Sequence, residues 1–284
     1  MRIGAALIPL VGWGVEVEQP EAARSSHLGA IRRLVVELGL GAVELNGDFT
    51  VLYPDVYDRT YYERVAGLQE ELGFACTVHL PFLWLDGLSL AEPVREATMQ
   101  CMAEVLDLTE PVRVESYVLH LWGVWSSLLA TVQEMSAEEQ RRLLDEMLRQ
   151  ASLTLEQLGG MVSRQRVCVE NLEGFPFAAI MPLVEREGMR ICLDVGHLVM
   201  DGGDALEFLD QYGEAIGEAH LHDALPGSGQ GPGMRDHLPL GQGTVDYVRF
   251  MERLSEGGYE GVVILEVNTE AALLESVRRM GPWL

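Results

Sequence analysis

Short, wholly apolar runs alternate along this chain with longer stretches whose apolar positions recur three and four residues apart. Eight runs, at residues 2–8, 42–45, 75–80, 117–121, 166–170, 190–194, 216–221 and 261–267, are continuous rather than alternating in polarity. Strands buried on both faces read that way. The stretches between them predict helices over 28–38, 61–72, 93–108, 137–158, 177–187, 205–212, 245–255 and 270–280. Gly39, Gly73, Gly159 and Gly188 stand where left-handed caps would close four of those helices. Eight strand–helix units in 284 residues predict an α/β fold, a single (β/α)8 TIM barrel over residues 1–284. A doubly wound open sheet fits less well, because the glycine fingerprint expected after the first strand is missing.

Composition narrows the function. Asp and Glu number 44 against 20 Lys and Arg, a net charge of −24. That balance speaks against nucleic acid as a partner, since such contacts are led by basic side chains neutralising phosphates. Hydrophobic residues at 48% and charged residues at 23% are ordinary globular usage. Cys76, Cys101, Cys168 and Cys192 form no C-x-x-C pair, and three lie in apolar strand-like runs. They read as reduced core cysteines of a cytoplasmic protein. The opening MRIGAALIPLVGWG has one basic residue and no small-residue cleavage site, so it reads as a first strand rather than a targeting segment. No run reaches 18 apolar residues, so no membrane span is expected. The irregular stretch 224–235, ALPGSGQGPGMR, lacks the Lys-Ser/Thr pair of a phosphate loop and reads as a flexible lid.

The histidines carry the chemistry. Of seven, six fall at or just beyond a predicted strand end: His79, His120, His197, His220, His222 and His237. Glu44, Glu170, Asp194 and Glu266 occupy matching positions. A parallel barrel opens all those strand ends on one face. Carboxylates there are costly to desolvate without a positive partner, and the flanking segments hold little Lys or Arg. A divalent metal is the simplest explanation. Mixed imidazole and carboxylate donors suit Zn, Mn, Co or Fe better than Mg or Ca.

At these residues the chain resembles the xylose-isomerase-like, or AP-endonuclease family 2, TIM barrels. The carriers are H-L-P at 79–81, C-L-D-V-G-H at 192–197, H-L-H-D at 220–223, H-L-P-L-G-Q-G at 237–243 and L-E-V at 265–267. The resemblance implies a metal quartet of Glu170, Asp194, His220 and Glu266. It matches His79, His120, His197 and His237 to the further ligands of a trinuclear-zinc phosphodiesterase branch. That branch has Asp where this chain has Arg235, with Asp236 one residue later. The resemblance therefore implies two or three cations per chain, zinc foremost, with Arg235 free to contact a substrate oxygen. The runs YVLHLWG, CVENLEGFP, CLDVGHL and LEVNTEAALLESV resemble, more narrowly, the cobamide-remodelling phosphodiesterases.

Three functions follow as alternatives. The first is a metal-dependent phosphodiesterase for a small organic phosphodiester, extending to the nucleotide loop of cobamides. Here Glu170 bridges two metals, His79 and His120 hold one, Asp194 and His220 hold the other, and Glu266 supports them. His197 and His237 bind a third metal or act on the leaving oxygen. Glu170, Glu266 and His197 are then the catalytic set, and Glu44, Arg235, Trp122 and His222 are the substrate contacts. For Glu44 a structural hydrogen bond at the barrel rim is an equal reading. The second is a one-metal sugar or sugar-phosphate isomerase or epimerase, in which Glu170 and Glu266 shuttle a proton beside a polarised carbonyl. The third, a non-catalytic barrel, predicts a scrambled ligand set, which this chain does not have. Phe82, Trp13, Trp84, Trp122, Trp125 and Phe175 read as an apolar wall at the mouth, or as core or a homo-oligomer interface. The expected partner is a small molecule, a corrinoid or a sugar phosphate.

Overall fold

The computed structural model describes all residues except 13, 15–18, 125, 127–134, 174 and 227–235. Eight parallel strands close into a barrel in chain order. They are β1 Arg2–Ala6, β2 Ala42–Asn46, β3 Ala75–His79, β4 Val114–Leu119, β5 Val167–Glu170, β6 Arg190–Asp194, β7 Ile216–Leu221 and β8 Val262–Leu265. β8 pairs back onto β1 through Ile3 and Val263, which closes the ring. Nearly every strand position is buried, as the continuous apolar runs require.

Each strand leads into an outer helix. These are α1 Pro20–Arg32, α2 Arg59–Leu72, α3 Glu92–Leu108, α4 Ala137–Met161, α5 Phe177–Glu187, α6 Ala205–Tyr212, α7 Tyr247–Glu256 and α8 Glu270–Met280. Shorter helices, Ile8–Val11, Asp48–Leu52 and Val195–Met200, sit in the loops on the strands' C-terminal side. Several starts are capped by side chains that satisfy otherwise orphaned amides. Asp58 accepts from the Tyr61 amide, and Ser136 and Glu139 form a reciprocal capping box. Among the described residues no helix is long and apolar enough to cross a membrane. All four cysteines are free, and Cys76, Cys168 and Cys192 are buried in strands.

Three sequence expectations are corrected. Helix α1 starts at Pro20, well before residue 28, and passes into a π-helical turn at Arg33–Glu37. Strand β4 starts at Val114 and ends at Leu119, so His120 lies one residue past it. Gly159 does not cap α4, which continues to Met161. Its missing Cβ instead makes room for the Arg164 guanidinium, which would lie 2.8 Å from a Cβ there. Gly73 and Gly188 do cap their helices in the left-handed conformation.

Candidate metal centre

The barrel sets the site by register. His79, Glu170 and Asp194 end β3, β5 and β6, His220 is the penultimate residue of β7, and Glu266 follows β8 directly. Asp194 lies opposite His220 in the β6–β7 ladder. Strand ends on one face thus converge without any long loop.

Glu170, Asp194, His220 and Glu266 each offer a ligand atom, all within 4.8 Å of one another. His220 Nδ1 lies 2.9 Å from Glu266 Oε2, 3.4 Å from Glu170 Oε1 and 3.9 Å from Asp194 Oδ2. Yet Glu170 Oε1 and Oε2, His220 Nδ1 and Glu266 Oε2 are buried with no aligned hydrogen bond. Such close approach without hydrogen-bond alignment is what ligands aimed at a common cation show. Donors about 2.0–2.2 Å from one centre stand roughly 3 Å apart. The donor set therefore fits a divalent transition metal.

A second set shares Glu170. His79, His120 and Glu170 also bring ligand atoms within 4.8 Å. Glu170 Oε2 lies 2.9 Å from His120 Nε2 and 3.3 Å from His79 Nε2. Phe82 packs on the His120 ring at 4.4 Å between centroids. Its loop is clamped by buried Asp48, whose Oδ1 accepts the amides of Phe82 and Leu83.

A third set, His197, His222 and His237, is close enough to hold an ion, but His222 is already engaged on both nitrogens. Its Nε2 is 3.0 Å from Asp194 Oδ1, and its Nδ1 accepts the His237 amide at 3.1 Å. His237 has a left-handed backbone, φ 50°, and stacks on His222 at 4.2 Å. His222, expected as a substrate contact, is buried against Asp194 and the His237 amide. Glu44 likewise faces protein rather than the mouth. Its Oε2 lies 3.1 Å from His220 Nε2, leaving Nδ1 for the quartet. Trp122 is 1% exposed and packs on Phe175 at 5.0 Å, so it belongs to the core and not to a wall at the mouth. Arg235, Trp13, Trp125 and most of the lid segment lie outside the described residues. Trp84 is 82% exposed.

The charges are mutually dependent. Burial would raise the Glu170 carboxyl, but His120 and His220 outweigh it and hold it well below the usual range. Burial opposes charge on His79 too, yet Glu170 raises it to about 9. His237 rises to about 10 against the same penalty, through Asp236 and Glu266. Beneath the site, burial and the neighbouring Glu44 push the Glu218 carboxyl up, and Ser116 Oγ donates to it at 2.5 Å. These carboxylates require positive charge among them, from protonated imidazole or from a cation.

Sequence reasoning missed two residues. Glu173 Oε1 lies 2.6 Å from His197 Nδ1. Asn171 brackets Asp194, donating from Nδ2 to its carbonyl and accepting its amide on Oδ1, both at 2.9 Å. Both stand in the ENLEGFP run, which was the available signal.

Fold and site define a TIM barrel with a His/carboxylate ligand cluster at its C-terminal face. Residues 32–283 match the family described as xylose isomerase-like TIM barrel, and the chain belongs to that family. An uncharacterized Methanocaldococcus jannaschii protein is 24% identical over 214 residues, 70% of this chain and 66% of its own. An Escherichia coli K12 protein, provisionally named an L-ribulose-5-phosphate 3-epimerase, is 37% identical over 79 residues, 28% of each chain. The matches thus span less than two thirds of either relative. The crystal structure of a D-tagatose 3-epimerase-like protein superposes with a TM-score of 0.73 at 19% identity, covering 100% of this chain and 97% of the other. That likeness speaks to the fold.

Proposed function

We infer that this chain is a divalent-metal-dependent epimerase or isomerase of a ketose or sugar phosphate. One observation carries the reading. Glu170 Oε1 and Glu266 Oε2 flank His220 Nδ1, buried and without hydrogen-bond partners. Two carboxylates on either side of one ligand position can remove a proton from a carbon on one face and return it on the other. A cation held by Glu170, Asp194, His220 and Glu266 supplies the polarisation of the adjoining carbonyl. Asp194 is kept in place by Asn171 and His222, and His220 by Glu44. The names of the Escherichia coli relative and of the tagatose-epimerase-like fold neighbour support this substrate class. Four free cysteines support a cytoplasmic setting. Zn, Mn, Co and Fe all suit the donors.

A second reading, phosphodiester hydrolysis, is favoured by the set of His79, His120 and Glu170. An isomerase needs no such set, whereas paired cations sharing a carboxylate are suited to gripping phosphodiester oxygens. His197 and His237 would serve a third cation, and the cobamide nucleotide loop is the phosphodiester this reading names. The test is incubation of zinc-, manganese- and cobalt-loaded protein in D2O with D-tagatose, D-fructose and L-ribulose 5-phosphate. Parallel samples hold bis(p-nitrophenyl) phosphate and a cobamide. The epimerase reading expects solvent deuterium at the carbon beside the carbonyl. Phosphodiester cleavage without deuterium in any sugar would replace it with the second reading.

A further inference from the structure

The two histidines of the second ligand set are held in different ways. His79 has a partner on the ring nitrogen that faces away from Glu170: Nδ1 lies 2.9 Å from the Leu80 carbonyl oxygen. A metal-ligating imidazole usually has such a partner, because it fixes the orientation of the ring. His120 has none. Among the described residues no hydrogen bond reaches its Nδ1, and it meets His79 and Glu170 through Nε2. What holds the ring instead is Phe82, 4.4 Å away between centroids and tilted by 39°. Phe82 also packs on His79, at 5.0 Å.

Phe82 is partly exposed, so it needs a hold of its own. The run Asn46-Gly47-Asp48, at the end of β2, grips the segment 79–83 at both ends. The Gly47 amide donates to the His79 carbonyl at 2.7 Å, and a Cβ on Gly47 would lie 2.8 Å from that oxygen. Asp48 Oδ1 accepts the amides of Phe82 and Leu83 at 3.0 and 2.8 Å. Asp48 is 2% exposed, and its Oδ2 has no hydrogen-bond partner. A carboxylate buried with one oxygen unpaired carries a desolvation cost. The loop it grips is strained as well. Trp84, which follows Leu83, has a left-handed backbone, φ 61°. Such strain persists only where the surroundings fix it, and it clusters at functional sites.

We propose that Asp48 is a positioning residue which, through Phe82, orients the His120 imidazole as a ligand of the second cation. The aromatic face stands in for the hydrogen-bonding partner that His120 lacks, and Asp48 fixes that face by holding the backbone on both sides of the Phe82–Leu83 peptide bond. The role concerns cation binding and does not depend on which reaction the centre performs.

The test is zinc titration of the full chain, stripped of metal and read by competition with a chromophoric chelator. The equivalent that a His79→Ala, His120→Ala double variant loses marks the second set. Asp48→Ala and Phe82→Leu should each weaken that equivalent about 10- to 100-fold, the usual effect of losing an outer partner. The quartet equivalent should stay as in the wild type, which a merely structural role of Asp48 would not allow. Asp48→Ala combined with Phe82→Leu should bind no more weakly than either alone, because both act along one path. Asp48→Asn, which keeps an acceptor oxygen for the two amides, should bind close to the wild type. Additive losses in the combined variant, or a loss in Asp48→Asn as large as in Asp48→Ala, overturns the proposal. So does wild-type affinity in Phe82→Leu, a partly exposed position whose variant decides the matter even where Asp48→Ala does not fold. Uptake of a single equivalent by the wild type overturns it too.

Discussion

The Nε2 atoms of His79 and His120 stand 3.1 Å apart, and both face Glu170 Oε2. His79 Nδ1 is 2.9 Å from the Leu80 carbonyl, so it carries the hydrogen and leaves Nε2 as an acceptor. Lone pairs converging at that distance need a proton or a cation between them. A second cation here, sharing Glu170 with the quartet, predicts a stoichiometric effect. Elemental analysis after dialysis against zinc should give at least two equivalents for the wild type and one fewer for the His79→Ala, His120→Ala double variant. Equal metal contents would remove this set from the metal centre.

Gly196, in the D-V-G-H run, is expected to be as sensitive as a ligand. A Cβ there would lie 1.9 Å from Cε1 of His222. His222 is fully buried and cannot swing aside without releasing Asp194. Gly196→Ala should therefore cost about 1–3 kcal/mol of stability through overpacking and reduce zinc affinity as well. Urea unfolding and chelator competition measure the two effects. Wild-type affinity in a folded Gly196→Ala protein would show that His222 does not hold Asp194 in place.

Much of this centre was legible because a parallel barrel places every strand's C-terminal end on one face. His79, Glu170, Asp194 and His220 lie in their strands' last turns, and His120 and Glu266 lie one residue beyond. Glu173 and Asn171 were not legible. Their partners, His197 and Asp194, belong to the next strand and its helix, and no periodicity encodes a contact between loops. His222 was read as a substrate contact because it shares the strand-end position, although its neighbours on the folded face are Asp194 and the His237 amide. Trp122 was read as part of a wall for the same reason and is core. The early start of α1 was hidden because its first turns, PEAARSSH, have little apolar periodicity, and only Pro20 signals them.

Removing metal should destabilise the barrel. Glu44, Glu170 and Asp194 are buried within one cluster of strand ends, with Glu266 beside them, and a cation would be their counter-charge. A cation present at about 100 times its Kd adds about 2.7 kcal/mol. For a chain of 284 residues, whose unfolding entropy near Tm is about 0.6 kcal/mol/K, that is a fall in Tm of about 4–5 °C on chelation. Differential scanning calorimetry with and without EDTA, followed by zinc add-back, measures it. An unchanged Tm would mean that the carboxylates are neutralised by protons alone.

The seventh histidine supplies a pH dependence away from the metal centre. His27, on α1, is 4% exposed and lies edge-on to Phe49 and Tyr57, with Tyr57 Oη within 2.9 Å of its ring nitrogens. Burial lowers its pKa from 6.5 to about 4. The folded chain therefore binds fewer protons than the unfolded chain between those values. The stability that the neutral ring contributes is fully present above pH 6.5. It is lost as pH falls, with the whole effect, about 3 kcal/mol, gone below pH 4. Histidines at the metal centre whose pKa is raised act in the opposite sense, so the comparison must be between the wild type and His27→Gln. The Gln variant keeps a polar partner for Tyr57 and cannot take up a proton. Urea unfolding at pH 7.5, 6.5, 5.5 and 5.0 should show the wild type losing more stability than His27→Gln over that range. Parallel curves for the two proteins would place the acid sensitivity elsewhere.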